Sequence, residues 1–555
     1  MLKTIKLKFG SSPSQKSEEI TLTPLTVFIG PNNSGKSKIL SEIKDACSGT
    51  NTSIMKILEN IEPEFLPKEF LDKLIEQRTI PDTQPNPNPD SLVLRGSELN
   101  SHLMTSRSYI QNIIDNPSSN PESYRSMVLG PETLMLNGIN RLSLVNTQNA
   151  GDLQLPPTST LMSLLKNKEK RKKVRNITKD AFGKYLVIDP TNLGMLRAKL
   201  ADHEIEEEIE LGLSRESINY HSQSQPIDTA SDGVRAYTGV IVELIAGDPQ
   251  IILIDEPEAF LHPALASKLG SNISQIISAT SKKVFASTHS QNFLMGCIQS
   301  GQPLNIIRLT YKDGVATSRC LKSDELLELM RNPLLRSSGV LSGLFYESVV
   351  ITESDADRAF YQEINERLLR FKPEWGIPNC LFINAQNKQT IPTLLKPLRD
   401  LGIPVSGIFD IDILKEGGSV WKNLLKCGYI PEASHDSYAS LRTSIKKSFD
   451  QTGKDMKRDG GIDILEGSDR ETVENLFQQL GEYGLFVIPG GELESWLKDH
   501  NISGHGPTWL IRMFEAMGNN PEHSNYTKPT EQDIWQFISR MSTWHLNAKR
   551  KGIPT

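Results

Sequence analysis

The sequence predicts an α/β protein built from two parallel-sheet halves, and three observations predict it. An apolar strand at 25–29 enters a glycine-rich loop and then a helix. A second apolar strand, IILID at 251–255, closes on an acidic pair. Beyond residue 346, strands and helices alternate, with carboxylates at the strand ends. Strands alternating with helices form parallel sheets, whose carboxyl edges gather the loops that carry chemistry.

A chain of 555 residues suggests about three folded units. Hydrophobic content of 37% and charged content of 23% place it among globular rather than disordered or fibrous chains. No stretch reaches the ~18 uninterrupted apolar residues of a membrane helix. Even the run Val240–Ile254 is broken by Glu243 and Asp248. The N-terminus, MLKTIKLKFG, alternates like a strand and lacks the apolar core of a signal peptide. Cys47, Cys297, Cys320, Cys380 and Cys427 are far apart, which argues against a disulfide framework or a cysteine-rich zinc site and fits a reducing cytoplasm. The net charge of −6 gives no global basic field, so any nucleic-acid contact must be a local patch.

Residues 20–40 read ITLTPLTVFIGPNNSGKSKIL. The pattern G-x-x-x-x-G-K-S follows a strand and opens a helix, the context in which it cradles phosphates. Gly30, Asn32, Asn33, Ser34 and Gly35 form the loop whose backbone N–H groups wrap the phosphates. Lys36 is suited to the β- and γ-phosphates, and Ser37 to Mg²⁺. The 251–255 strand delivers Asp255 to hold Mg²⁺ and Glu256 to polarise an attacking water. In KKVFASTHSQNFL a further apolar strand leads to His289, placed to contact the γ-phosphate.

This set resembles the ABC-type ATPases, in the branch shared with DNA-repair and chromosome-maintenance proteins. The resemblance implies a loop that crosses a dimer interface, here Pro257–Pro263, and a Ser-Gly signature donated by the partner head. Ser231 and Gly233 in SDGVR match that signature, although the commoner form is L-S-G-G-Q. A nucleotide-contacting glutamine is also implied, with Gln148 the candidate and Gln111 its rival. Two heads would sandwich two ATP molecules, so homodimerisation follows from sites incomplete in one chain.

Residues 51–135 interrupt the head as an inserted lobe, with amphipathic helical flanks such as EFLDKLIEQ and a Pro/Asn-rich stretch, TQPNPNPD, at 83–90. KNKEKRKKVR at 166–175 carries seven basic side chains and reads equally as a DNA-backbone track or a solvated helix face. The acidic run HEIEEEIE at 203–210 reads as an exposed edge.

In the second half, ESVVITESDADRAF gives a strand ending in Glu353 and a helix carrying Asp357. A later strand closes on Asp410 and Asp412, whose D-x-D spacing puts both carboxylates on one side of an extended strand. Hard oxygen ligands on a rigid edge suit Mg²⁺ or Mn²⁺ rather than zinc. The arrangement looks like a Toprim domain, with a strand-end Glu followed by Asp-x-Asp. An ABC-type head followed by a Toprim domain is similar to the OLD (overcoming lysogenization defect) nucleases. Serine at 354 replaces the family's usual glycine. The resemblance implies a late acidic ligand, Glu494 with Glu492 close behind, and a C-terminal basic residue, for which Lys549 and Lys551 are the candidates.

The implied layout is a head at 1–335, a linker at 336–345 around Arg336-Ser337-Ser338-Gly339, and a Rossmann-like Toprim half at 346–555 with a helical insertion at 413–483. The implied function is ATP-regulated, metal-dependent DNA cleavage at Glu353, Asp357, Asp410, Asp412 and Glu494. Bacterial proteins of this kind often serve in anti-phage defence, with a helicase partner or with a reverse transcriptase and its msDNA. Two alternatives are a non-cleaving ATP switch that binds nucleic acid through the Toprim fold and a DNA-clamping structural ATPase. Against the second stands the lack of long heptad-bearing segments between the two nucleotide motifs.

Overall fold

The string LTVFI leaves no face for water. In the computed structural model it is a fully buried strand, Leu25–Ile29, with parallel neighbours on both sides. The structure describes residues 1–80, 88–97, 102–331, 333 and 339–554. They form two compact units, Met1–Leu327 and Glu328–Thr555. The Pro/Asn-rich stretch at 83–90 lies largely outside the described residues, as do Arg336, Ser337 and Ser338 of the expected linker.

The first unit is organised by a six-stranded sheet in the order Val315–Leu321, Leu304–Lys312, Leu25–Ile29, Lys283–Ser287, Ile251–Asp255, Thr133–Leu136. The first pair is antiparallel and the rest are parallel. Register sets Asp255 opposite Ser287, and Ser287 opposite Phe28. The glycine loop, the acidic pair and His289 therefore leave the same edge of the sheet. The helix Lys36–Cys47 buries Ile39, Leu40 and Ile43 against that sheet.

A second, antiparallel sheet joins Glu19–Thr21, Leu2–Leu7 and Leu58–Pro63. The last strand falls inside the expected lobe of 51–135 but belongs to the head's own sheet, because Leu58 and Ile61 are buried in register with Leu7 and Ile5. What remains of the lobe is helices Lys68–Arg78 and Arg107–Asp115 and the hairpin Ser91–Arg95/His102–Ser106. Its Leu71, Leu94 and Ile110 share a core with Leu2 and Ile5.

The basic and acidic runs turn out to face each other. The helix Lys168–Phe182 carries the basic run. Lys168 and Arg171 pair with Glu207, and Arg175 pairs with Glu204 at 2.8 Å and with buried Glu210 at 2.5 Å. The acidic run is thus partly an interior partner rather than an exposed edge, and it pairs with three of the seven basic side chains.

The second unit holds four parallel strands in the order Cys380–Asn384, Ser348–Thr352, Val405–Phe409, Leu485–Val487. In chain order this is 2-1-3-4, so the connections leave the first strand in opposite directions and open a crevice at its carboxyl end. Three helices, Gly418–Cys427, His435–Thr452 and Gly467–Gly481, fill the insertion between the third and fourth strands. Buried Arg399 ties the pieces together, donating to the carbonyls of Val405, Gly428, Tyr483 and Gly552 at 2.6–3.0 Å. The C-terminal helices Gly506–Met517 and Ile534–Leu546 add an aromatic core of Trp509, Trp535, Phe537 and Trp544. Among the described residues no helix is long and apolar enough to cross a membrane.

Candidate nucleotide and metal sites

The glycine loop has the backbone its residues demand. Gly30 and Gly35 have φ of 140° and 94°, and a Cβ on Gly30 would stand 2.0 Å from the Leu309 carbonyl oxygen. Lys36 is buried, and its Nζ donates to the carbonyls of Gly30 at 2.9 Å and Pro31 at 2.7 Å. Burial lowers its pKa to about 8, against the pull of Glu256, Asp255 and Glu258. Asn32 and Asn33 are exposed at the crest, and Ser34 is buried beneath.

Ser37 Oγ donates to Asp255 Oδ1 at 2.8 Å, and Ser287 Oγ donates to the same oxygen. The two groups expected to share one Mg²⁺ therefore already touch. Glu256 has a left-handed backbone, φ 49°, and its side chain lies 3.9 Å from His289 Nε2. Burial, then Lys36, holds the His289 pKa below its ordinary value, which favours a neutral imidazole. His289 follows the strand Lys283–Ser287 by two residues rather than ending it.

Ser231 and Gly233 open the helix Asp232–Ala246; Ser231 is exposed and makes no capping bond there, and Gly233 is half-buried. Gly233 is required by packing, because a Cβ would meet the Phe260 carbonyl oxygen at 2.7 Å. That contact seats the loop 257–263 on the signature helix.

Gln148 does not join this group. Its amide donates to Leu144 O at 2.8 Å and Thr160 Oγ1 at 3.1 Å, and its carbonyl accepts from Leu161 N–H, so it is consumed in starting the helix Thr160–Lys166. Gln111 bonds Asp115 on its own helix in the lobe. The residue that sequence reasoning missed is Arg141. It is wholly buried, donates to Glu256 O at 2.8 Å, and leaves Nε and Nη2 without a hydrogen-bond partner. Its signal is faint, an arginine in an otherwise unremarkable loop after the strand Thr133–Leu136.

In the second unit, the carboxyl ends of the first and third strands meet at the crevice. Glu353 Oε1 accepts from Asp410 N–H at 3.0 Å. Glu353, Asp410 and Asp412 each offer an oxygen, all within 4.8 Å of one another. Asp412 reaches them differently from expectation. The strand ends at Phe409, and Ile411–Lys415 is a 3₁₀ turn that folds Asp412 back, so convergence comes from the turn rather than the pleat. Asp357 Oδ2 accepts from Ser354 N–H at 2.8 Å, while Ser354 Oγ accepts from Asp357 N–H at 3.2 Å, a reciprocal cap on the helix Asp355–Phe371.

Glu492 and Glu494 follow the fourth strand, and with His505 they form a second cluster of the same span. His505 Nδ1 is 2.7 Å from Glu494 Oε1. Burial, then neighbouring carboxylates, raises the pKa of Asp357 to about 6 and raises those of Glu353 and Glu492. Asp412 Oδ1 and Glu492 Oε2 are buried with no hydrogen-bond partner. Six carboxylates gather here, two of them with a buried oxygen left unpartnered, and this oxygen donor set fits hard divalent ions.

Two family profiles match this chain. One, described as "AAA domain, putative AbiEii toxin, Type IV TA system", covers residues 130–295, and the other, "Overcoming lysogenization defect protein-like, TOPRIM domain", covers 344–412. The chain thus joins an ATPase domain to an OLD-like Toprim domain. The Old nuclease of Escherichia phage P2 is 23% identical over 262 residues, 44% of this chain and 43% of that protein, so the match spans less than half of the relative's length. Among solved structures, an SMC head bound to the C-winged helix domain of ScpA is 14% identical, with a TM-score of 0.34, covering 59% of this chain and 99% of that one. The SMC head domain from Thermotoga maritima is 13% identical, with a TM-score of 0.31, covering 58% and 99%.

The Toprim match ends at Asp412, so Glu492 and Glu494 are placed by geometry alone. The expected C-terminal base is not at the cluster. Lys551 pairs with Glu482 at 2.6 Å on the surface, and Lys549 is exposed. Two other lysines reach the carboxylates instead. Lys388 lies 2.9 Å from Asp412, and Lys457 lies 2.6 Å from Asp410. Neither carries a local sequence signal, since each comes from a loop with no motif of its own.

Proposed function

We propose that this protein is an ATP-binding and ATP-hydrolysing, divalent-metal-dependent DNA endonuclease whose cleavage is controlled by ATP-driven dimerisation of its heads. The observation that carries the reading is the meeting of Glu353, Asp410 and Asp412 at the carboxyl edge of a parallel sheet, with Asp357, Glu492 and Glu494 beside them. Those residues would hold Mg²⁺ or Mn²⁺. Such cations would supply charge stabilisation for the oxygens of a phosphodiester under attack.

The chain's own part is to fix the carboxylates and to place positive charge near the scissile phosphate. Glu353 is anchored by the Asp410 N–H, Asp357 by the Ser354 cap, and Glu494 by the Gly506 N–H at 2.7 Å. In the head, Lys36 and the loop amides would bind the triphosphate, Ser37 and Asp255 would share Mg²⁺, and Glu256 would orient water. Exposed Ser231, with Gly233 behind it, would cap the nucleotide of a second copy. The reciprocal cap gives Ser354 a role where the family's usual residue is glycine. Among the described residues the longest helix has 18 residues, which gives no arm for a DNA clamp.

A 5′-labelled DNA duplex incubated with the protein and Mn²⁺ or Mg²⁺ tests the reading. Cleavage that disappears in Glu353→Ala is expected, and cleavage that survives it would overturn the assignment of the site. Service in anti-phage defence, with a partner such as a helicase or a reverse transcriptase carrying msDNA, belongs to the same proposal. Phage plating with and without the Glu353→Ala allele reads it.

A further inference from the structure

The insertion between the third and fourth strands of the second unit has no motif, yet it reaches into the acidic cluster at one point. Lys457 Nζ lies 2.6 Å from Asp410 Oδ2, 3.8 Å from Glu492 Oε2 and 4.0 Å from Asp412 Oδ2. It stands between the Glu353/Asp410/Asp412 group and the Glu492/Glu494/His505 group. An ammonium there serves three carboxylates from both halves of the site at once.

The lysine is presented by a built turn rather than by a loose loop. Asp455 Oδ1 accepts from Lys457 N–H at 2.8 Å and from Arg458 N–H at 3.2 Å, and Asp459 Oδ2 accepts from Asp455 N–H at 2.8 Å. Lys415, from the 3₁₀ turn after Asp412, holds the Asp455 carboxylate at 3.1 Å. Met456 is buried. The turn lies directly on the loop that leads to Glu492, because a Cβ on Gly491 would stand 2.1 Å from the Lys457 carbonyl oxygen. Just beyond, Ile462 N–H donates to Pro489 O at 2.9 Å. Glycine at 491, with φ 117°, is what lets the two segments approach.

We propose that Lys457 is a tethered counter-ion that holds a divalent-cation seat between Asp410, Asp412 and Glu492, so that an ion enters the nuclease centre only by displacing it. This rests on the metal-dependent reading of the site. Metal-free, the lysine keeps mutually repelling carboxylates together. Metal-bound, its ammonium is released beside the cluster, within reach of an incoming phosphate. The insertion is thereby a regulator of metal occupancy.

Mn²⁺ titration followed by calorimetry tests this without relying on cleavage. It is done without nucleotide on the full chain carrying Asp255→Asn, so that the carboxylate expected to hold a cation in the head is removed. Adding Lys457→Met is expected to tighten Mn²⁺ binding by about tenfold or more, since a positive charge in contact with the ligands is removed. It is also expected to enlarge the rise in Tm that Mn²⁺ produces. Lys457→Arg, which keeps the charge, is expected to bind Mn²⁺ within about threefold of the parent. Should Lys457→Met fail to fold, Lys457→Gln replaces it. Unchanged or weaker Mn²⁺ binding in the neutral variant would overturn the proposal. If the parent binds Mn²⁺ at Asp410 but cleaves no DNA, the nuclease reading fails while the titration still decides the role of Lys457.

Discussion

Ser354 shows how one side chain sets the position of another. Its hydroxyl and N–H exchange hydrogen bonds with Asp357, which leaves the other Asp357 oxygen beside Asp410 and Glu494. Removing such a cap costs about 1 kcal/mol, whereas glycine at the same position costs a few tenths. Ser354→Ala is therefore expected to lower the Tm and slow DNA cleavage, and Ser354→Gly to stay close to the parent in both. Thermal melts beside cleavage rates check this, and an alanine variant equal to the parent in both would show that the cap does not position Asp357. Residues of this kind were legible because they belong to short strings. Gly30 to Ser37, Asp255–Glu256, Glu353 and Asp410–Asp412 each sit within a few residues of the strand that carries them. Gln148 is harder to place because a lone glutamine has many uses, and here its amide bonds Leu144, Thr160 and Leu161.

Among the elements, the helix Asp232–Ala246 connects the outward-facing signature to the interior of the head. Glu243 lies near its C-terminal end, where the helix dipole disfavours a carboxylate, and burial raises its pKa from 4.5 to about 7 against the pull of Lys282. A folded-state pKa raised in this way contributes stability that is fully present below about 4.5 and is lost as pH rises through about 7. Glu243→Gln is expected to flatten the fall in Tm between pH 5 and pH 8, so that the variant exceeds the parent at pH 8. Parallel curves for the two proteins would contradict the raised pKa. The elements least legible in sequence are those completed by distant partners. Leu58–Pro63 looked like part of an insertion until its register with Leu2–Leu7 supplied a sheet. The charged runs at 166–175 and 203–210 looked like two surfaces until Arg175 was found between Glu204 and Glu210. The turn bearing Lys457 is specified by packing against Gly491, a contact no local pattern announces.

For the molecule as a whole, two parallel sheets each bring acids to a carboxyl edge, one beside a phosphate loop and one at a crevice between diverging connections. The net charge of −6 is compatible with DNA as substrate, because clustered carboxylates account for negative charge that bound cations would offset. In the proposed function the head governs a metal-dependent nuclease carried on the same chain. Nicking of supercoiled plasmid in Mn²⁺, measured with and without ATP for the parent, Lys36→Ala, Ser231→Arg and Glu353→Ala, tests it most directly. The account predicts no nicking by Glu353→Ala, and a nicking rate that responds to ATP in the parent but not in Lys36→Ala or Ser231→Arg. Nicking that persists in Glu353→Ala, or an ATP response that survives Lys36→Ala, would contradict it.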